Sequence, residues 1–191
     1  MKKIATLLFV SIFALTSCSD DGAVGPQCPP GPQGPPGEDG TEILATIFEI
    51  NSDFSYNGEA GLWTTDLITF SDFTDVIVFE EDVVLVYRLD AVGELEDGST
   101  IDEWSLLPQN FFTNDGTIQY VFNHSFLDTE IFIDGNYDLS DLGPGFTEDQ
   151  IFRVVIIPAD FFTTSGVDMS NMKAVMNALE IEQKDITKKK L

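Results

Sequence analysis

The chain has 191 residues, of which 43% are hydrophobic and 22% are charged. This composition suits one globular domain and excludes a wholly disordered polymer. The 33 acidic residues far outnumber the 9 basic residues, and the formal net charge is −24. Because binding to a nucleic-acid backbone requires a basic patch that displaces counterions, the composition argues against a nucleic-acid partner.

Residues 1–17 predict a secretory signal peptide. Lys2 and Lys3 give the segment a positive start, and a largely apolar run follows over residues 4–15. This run is too short to span a bilayer, which requires about 20 apolar residues. We therefore expect an exported protein whose leader is removed.

The leader ends in Leu15-Thr16-Ser17-Cys18, which resembles the lipobox of bacterial lipoproteins. The resemblance implies that Cys18 is acylated, becomes the first residue after cleavage and anchors the protein to a membrane, because several acyl chains bind a bilayer stably. The alternative is an ordinary signal peptide with an incidental cysteine. Ser19-Asp20-Asp21 resembles the acidic signal of lipoproteins that reach the outer face of the outer membrane, so we expect a surface-exposed, lipid-anchored protein there.

Residues 18–40 carry the lipidated cysteine and a collagen-like stalk. Glycine recurs at every third position from Gly22 to Gly40, except where Cys28 replaces it, and prolines fill many positions between. This repeat resembles that of collagen-like bacterial proteins. Two interpretations remain open: a semi-rigid polyproline II spacer in a monomer, or a short triple helix that makes a homotrimer. Cys28 is then a free thiol or an interchain disulfide.

Residues 41–181 predict a β-rich head domain. Short runs rich in Val, Ile, Phe and Tyr are separated by turn residues, as at Asn114-Asp115-Gly116, which predicts a hairpin. The fold class that this pattern indicates is all-β, an antiparallel β-sandwich or barrel-like head. The predicted strands lie at 43–50, 76–79, 83–92, 103–112, 117–126, 130–134 and 151–157.

The C-terminal part of the head breaks this strand pattern. Apolar residues at helical spacing predict an α-helix from Asp168 to about Glu180, with Ser165 and Asp168 forming a capping box. We expect the methionines of this helix to pack on the sheet. Residues 182–191 predict a solvated charged tail.

The head also carries a resemblance of its own. The segments VVLVYRL (83–89), EWSLLPQNFF (103–112), IFIDGNYDL (131–139), FRVVIIPADFF (152–162) and NMKAVMNAL (171–179) resemble the domain that follows the collagen-like stalk in a group of bacterial lipoproteins. The resemblance implies architecture and localisation and assigns no activity.

Catalytic motifs are scarce in this sequence. His124 is the only histidine, and its parity with Phe122 and Phe126 predicts a residue at the edge of the core. The sequence contains no phosphate-binding loop, dinucleotide fingerprint or nucleophile elbow. Carboxylate pairs arise by chance in so acidic a chain, so a hydrolase of this type cannot be identified from them. We expect no enzymatic activity.

One segment is a weak candidate for calcium. Asp134, Asn136 and Asp138 place oxygen atoms at alternate positions, as in the first part of an EF-hand loop. Leu139 and Gly145 replace the turn glycine and the bidentate glutamate of that loop. The alternative is a turn rich in Asx side chains, and we expect no other cofactor.

Arg88 and Arg153 are the two basic residues between positions 41 and 168, and both lie within predicted strands. A guanidinium group on an apolar face requires carboxylate or carbonyl partners. We expect both arginines to form structural ion pairs; the alternative is recognition of an anion or another ligand.

Together these features predict a lipid-anchored cell-envelope protein that displays an acidic head on a collagen-like spacer. Its expected role is non-enzymatic, in surface display, adhesion or structure. The alternative is a carbohydrate- or calcium-dependent binding head with a protein or glycan ligand that the sequence does not identify.

Overall fold

A computed structural model describes residues 45–191. The predicted leader, Cys18, the stalk and Cys28 lie outside the described residues. The strands are, in chain order, β1 (Thr46–Ser52), β2 (Ser55–Asn57), β3 (Leu62–Thr64), β4 (Ile68–Thr69), β5 (Val83–Glu94), β6 (Thr100–Leu106), β7 (Gln109–Phe112), β8 (Thr117–His124), β9 (Asp128–Gly135), β10 (Gln150–Ile157) and β11 (Thr187–Lys190). The α-helices are α1 (Pro144–Thr147), α2 (Ala159–Ser165) and α3 (Met172–Ala178).

The strands form two sheets. The first has the order β11-β1-β10-β5-β6, and the second has the order β2-β3-β9-β8-β7, with β4 also paired to β9. All neighbouring strands are antiparallel except β1 and β11, which are parallel. The predicted β-rich fold with mainly antiparallel sheets is therefore confirmed.

The two sheets share one hydrophobic cluster, because alternate residues of their strands point into it. In β8, Ile118 and Tyr120 are buried, as their parity predicts. The predicted hairpin at residues 114–116 is also confirmed, since β7 and β8 pair with Phe111 opposite Ile118. Further members of the cluster are Phe48, Ile50, Val84, Val86, Ile131, Ile133, Phe152 and Val154.

A second cluster covers the other face of the first sheet. Ile47, Tyr87 and Val155 pack there against Met172 and Val175 of α3. The central strand β10 is consequently buried on both faces, which explains why all its residues except Gln150 and Arg153 are apolar. The expected packing of the methionine-rich helix on the sheet is present.

Two predicted strands differ from the structure. Residues 76–79 form no strand and belong to a loop between β4 and β5. The predicted strand at 103–112 is two strands, β6 in the first sheet and β7 in the second. Pro108 lies between them, and it interrupts a strand because it has no backbone N–H to donate to a neighbour.

The predicted start of the C-terminal helix is wrong. Gly166 adopts the left-handed conformation, with φ 63°, and ends α2 after Ser165. Asn171 caps α3 instead, since its side chain accepts a hydrogen bond from the Ala174 N–H. Asp168 forms a local turn in which its Oδ1 accepts from the Ser170 N–H at 3.0 Å. The predicted capping box of Ser165 and Asp168 is therefore absent.

Most residues of the predicted charged tail are exposed, as expected for a solvated segment, but residues 187–190 also form strand β11 at the edge of the first sheet. Lys188 Nζ lies 2.8 Å from Glu49 Oε1, and Lys190 Nζ lies 3.1 Å from Asp149 Oδ1. The Leu191 N–H donates to the Asn51 carbonyl oxygen at 2.9 Å. All four strand residues remain exposed, and exposed lysines on an edge strand discourage pairing with another chain.

We expect the fold to lose stability at alkaline pH because of Tyr120. Burial raises the pKa of Tyr120 to about 12, with the nearby Arg88 guanidinium opposing the rise. In the unfolded chain, the Tyr120 hydroxyl loses its proton at about pH 10. The contribution of Tyr120 to the free energy of unfolding is therefore complete below about pH 10 and falls as the pH rises toward 12. Urea unfolding midpoints of the wild type should decrease more steeply over this range than those of Tyr120→Phe, and equal slopes would contradict the prediction.

Candidate functional site

A cleft of about 980 Å³ lies between β6 and the C-terminal region around α3. Its floor contains Trp104 and Arg153, and its rim is mainly polar. The residues at the rim include Asp102, Asp168, Asn171, Lys173, Asn177 and Gln183. The cleft is thus an open, polar depression with one aromatic side chain at its base.

Arg153 is buried at the floor, with 2% of its surface exposed. Its Nε and Nη2 atoms donate to Glu49 Oε2 at 3.1 and 3.0 Å. Nη2 also lies 3.7 Å from Asp102 Oδ2. The guanidinium carbon is 3.9 Å from the centre of the Trp104 ring, so the cation contacts two carboxylates and an aromatic face.

The strand register creates this arrangement. Glu49 in β1 is directly opposite Arg153 in β10, and Tyr87 in β5 is opposite Arg153 on the other side. All three therefore point to the same face of the first sheet, beneath α3. The charged groups meet in the interior because β10 is the central strand of that sheet.

Most of the N–H donors of Arg153 are occupied by partners within the fold. The remaining nitrogen, Nη1, has Met176 Sδ at 3.6 Å. The second oxygen of the Glu49 carboxylate is held by Lys188, so this carboxylate contacts two cations. This arrangement stabilises the sheet and positions Trp104.

The rim offers groups that are free to meet a ligand. Asn177 and Gln183 are exposed amides that can both donate and accept. The Ser170 hydroxyl donates to Asp168 at 2.7 Å, and this bond with the Ser170 N–H holds the pKa of the Asp168 carboxyl below its usual range. Asp168 is therefore an ionised acceptor at the edge of the cleft.

Arg88, the other predicted arginine, lies on the opposite face of the first sheet. Its Nε and Nη2 atoms donate to Gln150 Oε1 at 3.0 and 2.7 Å, and Nη1 pairs with Asp90 Oδ1 at 3.0 Å. The guanidinium carbon is 4.8 Å from the centre of the Tyr120 ring. The structure does not bring Arg88 and Arg153 together into one site.

The three side chains of the calcium candidate each accept a hydrogen bond from a backbone N–H. Asp134 Oδ1 accepts from the Gly135 N–H, Asn136 Oδ1 from the Thr117 N–H and Asp138 Oδ1 from the Ser140 N–H, at 2.7, 2.8 and 3.0 Å. The oxygens of Asp134 and Asp138 therefore stabilise their own segment, and that of Asn136 joins this segment to β8. Among residues 45–191, no group of three or more His, Cys, Asp or Glu side chains is arranged to hold a metal ion.

His124 and Phe126 are more exposed than their parity predicts. His124 stacks on Phe122, with 6.1 Å between the ring centres, and Phe126 is 47% exposed. The reason is that β8 ends at His124, so Phe126 lies in the following turn and not in the strand. The expected core-edge position of His124 is therefore wrong.

The sequence interpretation missed the partners of Arg153. Glu49 stands within the apolar run ILATIFEI, where a charged residue on a buried strand indicates a buried partner. Trp104 and Asp102 carried no comparable signal. Their role depends on the position of β6 beside β5.

Comparisons of the chain with known protein families, curated proteins and solved structures found no match. Among the described residues, no helix is both long enough and apolar enough to cross a membrane.

We expect replacement of Arg153 to destabilise the head strongly. Arg153→Met leaves the Glu49 carboxylate buried without its main partner, which should lower the free energy of unfolding by about 3–5 kcal/mol. Urea denaturation measures this loss, and the double variant Arg153→Met with Glu49→Gln should recover part of it. Lys184→Met is the control, because Lys184 and Glu182 form an exposed pair and its loss should change little. Equal stabilities for Arg153→Met and the control would refute this account.

Proposed function

We propose that the chain is a lipid-anchored cell-envelope protein that displays an acidic β-sandwich head on a collagen-like spacer. The observation that carries this proposal is the order of three sequence features: an apolar leader ending in Leu15-Thr16-Ser17-Cys18, the Gly-X-Y repeat of residues 22–40, and a head whose first strand begins at Thr46. In this proposal Cys18 bears the acyl chains, and the head lies at the cell surface of the outer membrane. The role is non-enzymatic.

The architecture of the head supports this proposal. Two sheets share one hydrophobic cluster, the arrangement expected of a β-sandwich. The buried guanidinium group of Arg153 and the carboxylate of Glu49 form an ion pair with each other. Buried charges that stabilise the fold favour a role in display or adhesion over a role in catalysis.

We expect Cys18→Ser to release the protein from membranes. Without the sulfur atom, no acyl chain can be attached, and the apolar contribution of those chains is lost. The measurement is the distribution of the full chain between membrane and aqueous fractions of the producing cells, together with the mass of its N-terminal peptide. Cys28→Ser is the matched control and should stay in the membrane fraction. An unchanged membrane fraction for Cys18→Ser would exclude lipid anchoring at this residue.

The cleft supports a second candidate function, recognition of a carbohydrate by the head. Trp104 offers part of a flat apolar ring, and the amides and carboxylates of the rim can exchange hydrogen bonds with the hydroxyl groups of a neutral sugar. Asn177 and Gln183 are the exposed amides best placed for this role. Among residues 45–191, neither side-chain amide forms a hydrogen bond that a ligand would have to break.

If the cleft binds glycans, Asn177→Ala combined with Gln183→Ala should reduce that binding about tenfold without loss of stability. A glycan array probed with the wild type and this variant, in calcium and then in chelator, measures both the effect and any dependence on calcium. Asn110→Ala, an exposed amide on β7, is the control. Binding that survives in the double variant would locate the glycan elsewhere, and the absence of binding by the wild type would eliminate this candidate.

A further inference from the structure

Four large apolar side chains are exposed on two loops at one end of the head. Ile77 and Phe79, in the loop before β5, are 74% and 60% exposed. Phe126 and Leu127, in the turn between β8 and β9, are 47% and 57% exposed. We name these four residues the end patch. Exposed apolar groups that lie together on a monomer usually mark an interaction site.

The two loops meet at a depression of about 350 Å³. Phe79, Phe126 and His124 line it, together with Glu80 and Asp82. Val78 and Val84, which are buried, form the base. An apolar side chain that ends in a positive charge would fit this combination of surfaces.

Local hydrogen bonds hold the two loops in shape. Asp82 Oδ2 accepts from the Phe79 N–H at 2.9 Å, and the Asp82 N–H donates to the Phe79 carbonyl oxygen at 3.1 Å. In the turn, the Ser125 hydroxyl donates to Asp128 Oδ1 at 2.7 Å, and the Ser125 N–H donates to the Asp128 carbonyl oxygen at 2.9 Å. The aromatic rings are thus presented by closed turns, which lowers the entropy lost on binding.

The charge around the end patch is negative. Asp75, Glu80, Glu81 and Asp82 lie on the loop before β5, and Asp128 is the first residue of β9, directly after the turn. None of the salt bridges among residues 45–191 involves any of them. The surrounding field therefore attracts cations and repels anionic surfaces.

We propose that the end patch binds a basic, partly apolar segment of another protein. A lysine or arginine of that segment would lay its aliphatic stem between Phe79 and Phe126 and direct its charge to Glu80 and Asp82, while neighbouring apolar residues cover Ile77 and Leu127. An anionic bilayer and a second copy of this chain are both disfavoured, because each would bring like charge to the patch. The chain's own residues 19–44 contain no Lys or Arg and lack the complementary charge.

The test is fluorescence anisotropy with a dye-labelled peptide in which Lys and Leu alternate, titrated with residues 19–191. The wild type should bind this peptide and should not bind a peptide that has Glu in place of Lys. Phe79→Ser combined with Phe126→Ser should raise Kd about tenfold or more. Glu80→Gln should raise Kd less and flatten the dependence of Kd on salt. Phe112→Ser is the control, since Phe112 is 87% exposed in β7, outside the end patch, and should bind as the wild type does.

Other outcomes would overturn the proposal. Equal binding by the wild type and the double Phe variant would show a general attraction to the acidic surface. Sedimentation of the wild type with phosphatidylglycerol vesicles, reduced in the double variant, would identify a membrane surface instead. A dimer by light scattering that the double variant abolishes would identify self-association. Circular dichroism melting of the double variant verifies that it is folded, as two exposed substitutions should allow.

Discussion

The buried ion pair of Arg153 and Glu49 is the interaction on which most of the first sheet depends. Arg153 joins β10 to β1 through Glu49, to β6 through Asp102 and Trp104, and to α3 through Met176. Glu49 extends these contacts to β11 through Lys188. Leaving a guanidinium group without partners in the interior is very costly, so the stability of each of these elements depends on the others.

This constraint also determines the nature of the cleft. The face of the first sheet that carries Arg153 is covered by α3 and the residues that follow it, and the cleft lies beside that cover, against β6. The floor of the cleft therefore consists of groups already engaged in holding the sheet together. A ligand would meet mainly the exposed side chains of the rim, and its binding would change few of the contacts that stabilise the fold.

Local patterns were predictable from the sequence, and pairings over long distances were not. The burial of Ile118 and Tyr120 in β8 and the turn at residues 114–116 involve near neighbours, and both are confirmed. The sequence indicates that Arg153 needs a charged partner. It does not identify Glu49, which lies 104 positions away and is brought to Arg153 only by the register of β1 against β10. Strand β11 was missed because its lysines show no apolar alternation. Its place at the edge depends on Glu49, Asp149 and the backbone of β1.

Both arginines and two of the lysines of the head are paired with acids that lie outside the end patch. Arg153 and Arg88 are turned inward, and Lys188 and Lys190 are paired with carboxylates of the same domain. These cations neutralise acids within the fold, so the loops around the end patch keep their negative charge. A head with such a surface is repelled by anionic lipid headgroups. The spacer proposed for residues 22–40 would hold the head away from the membrane, which is consistent with this charge, and the same charge favours the basic partner proposed for the end patch.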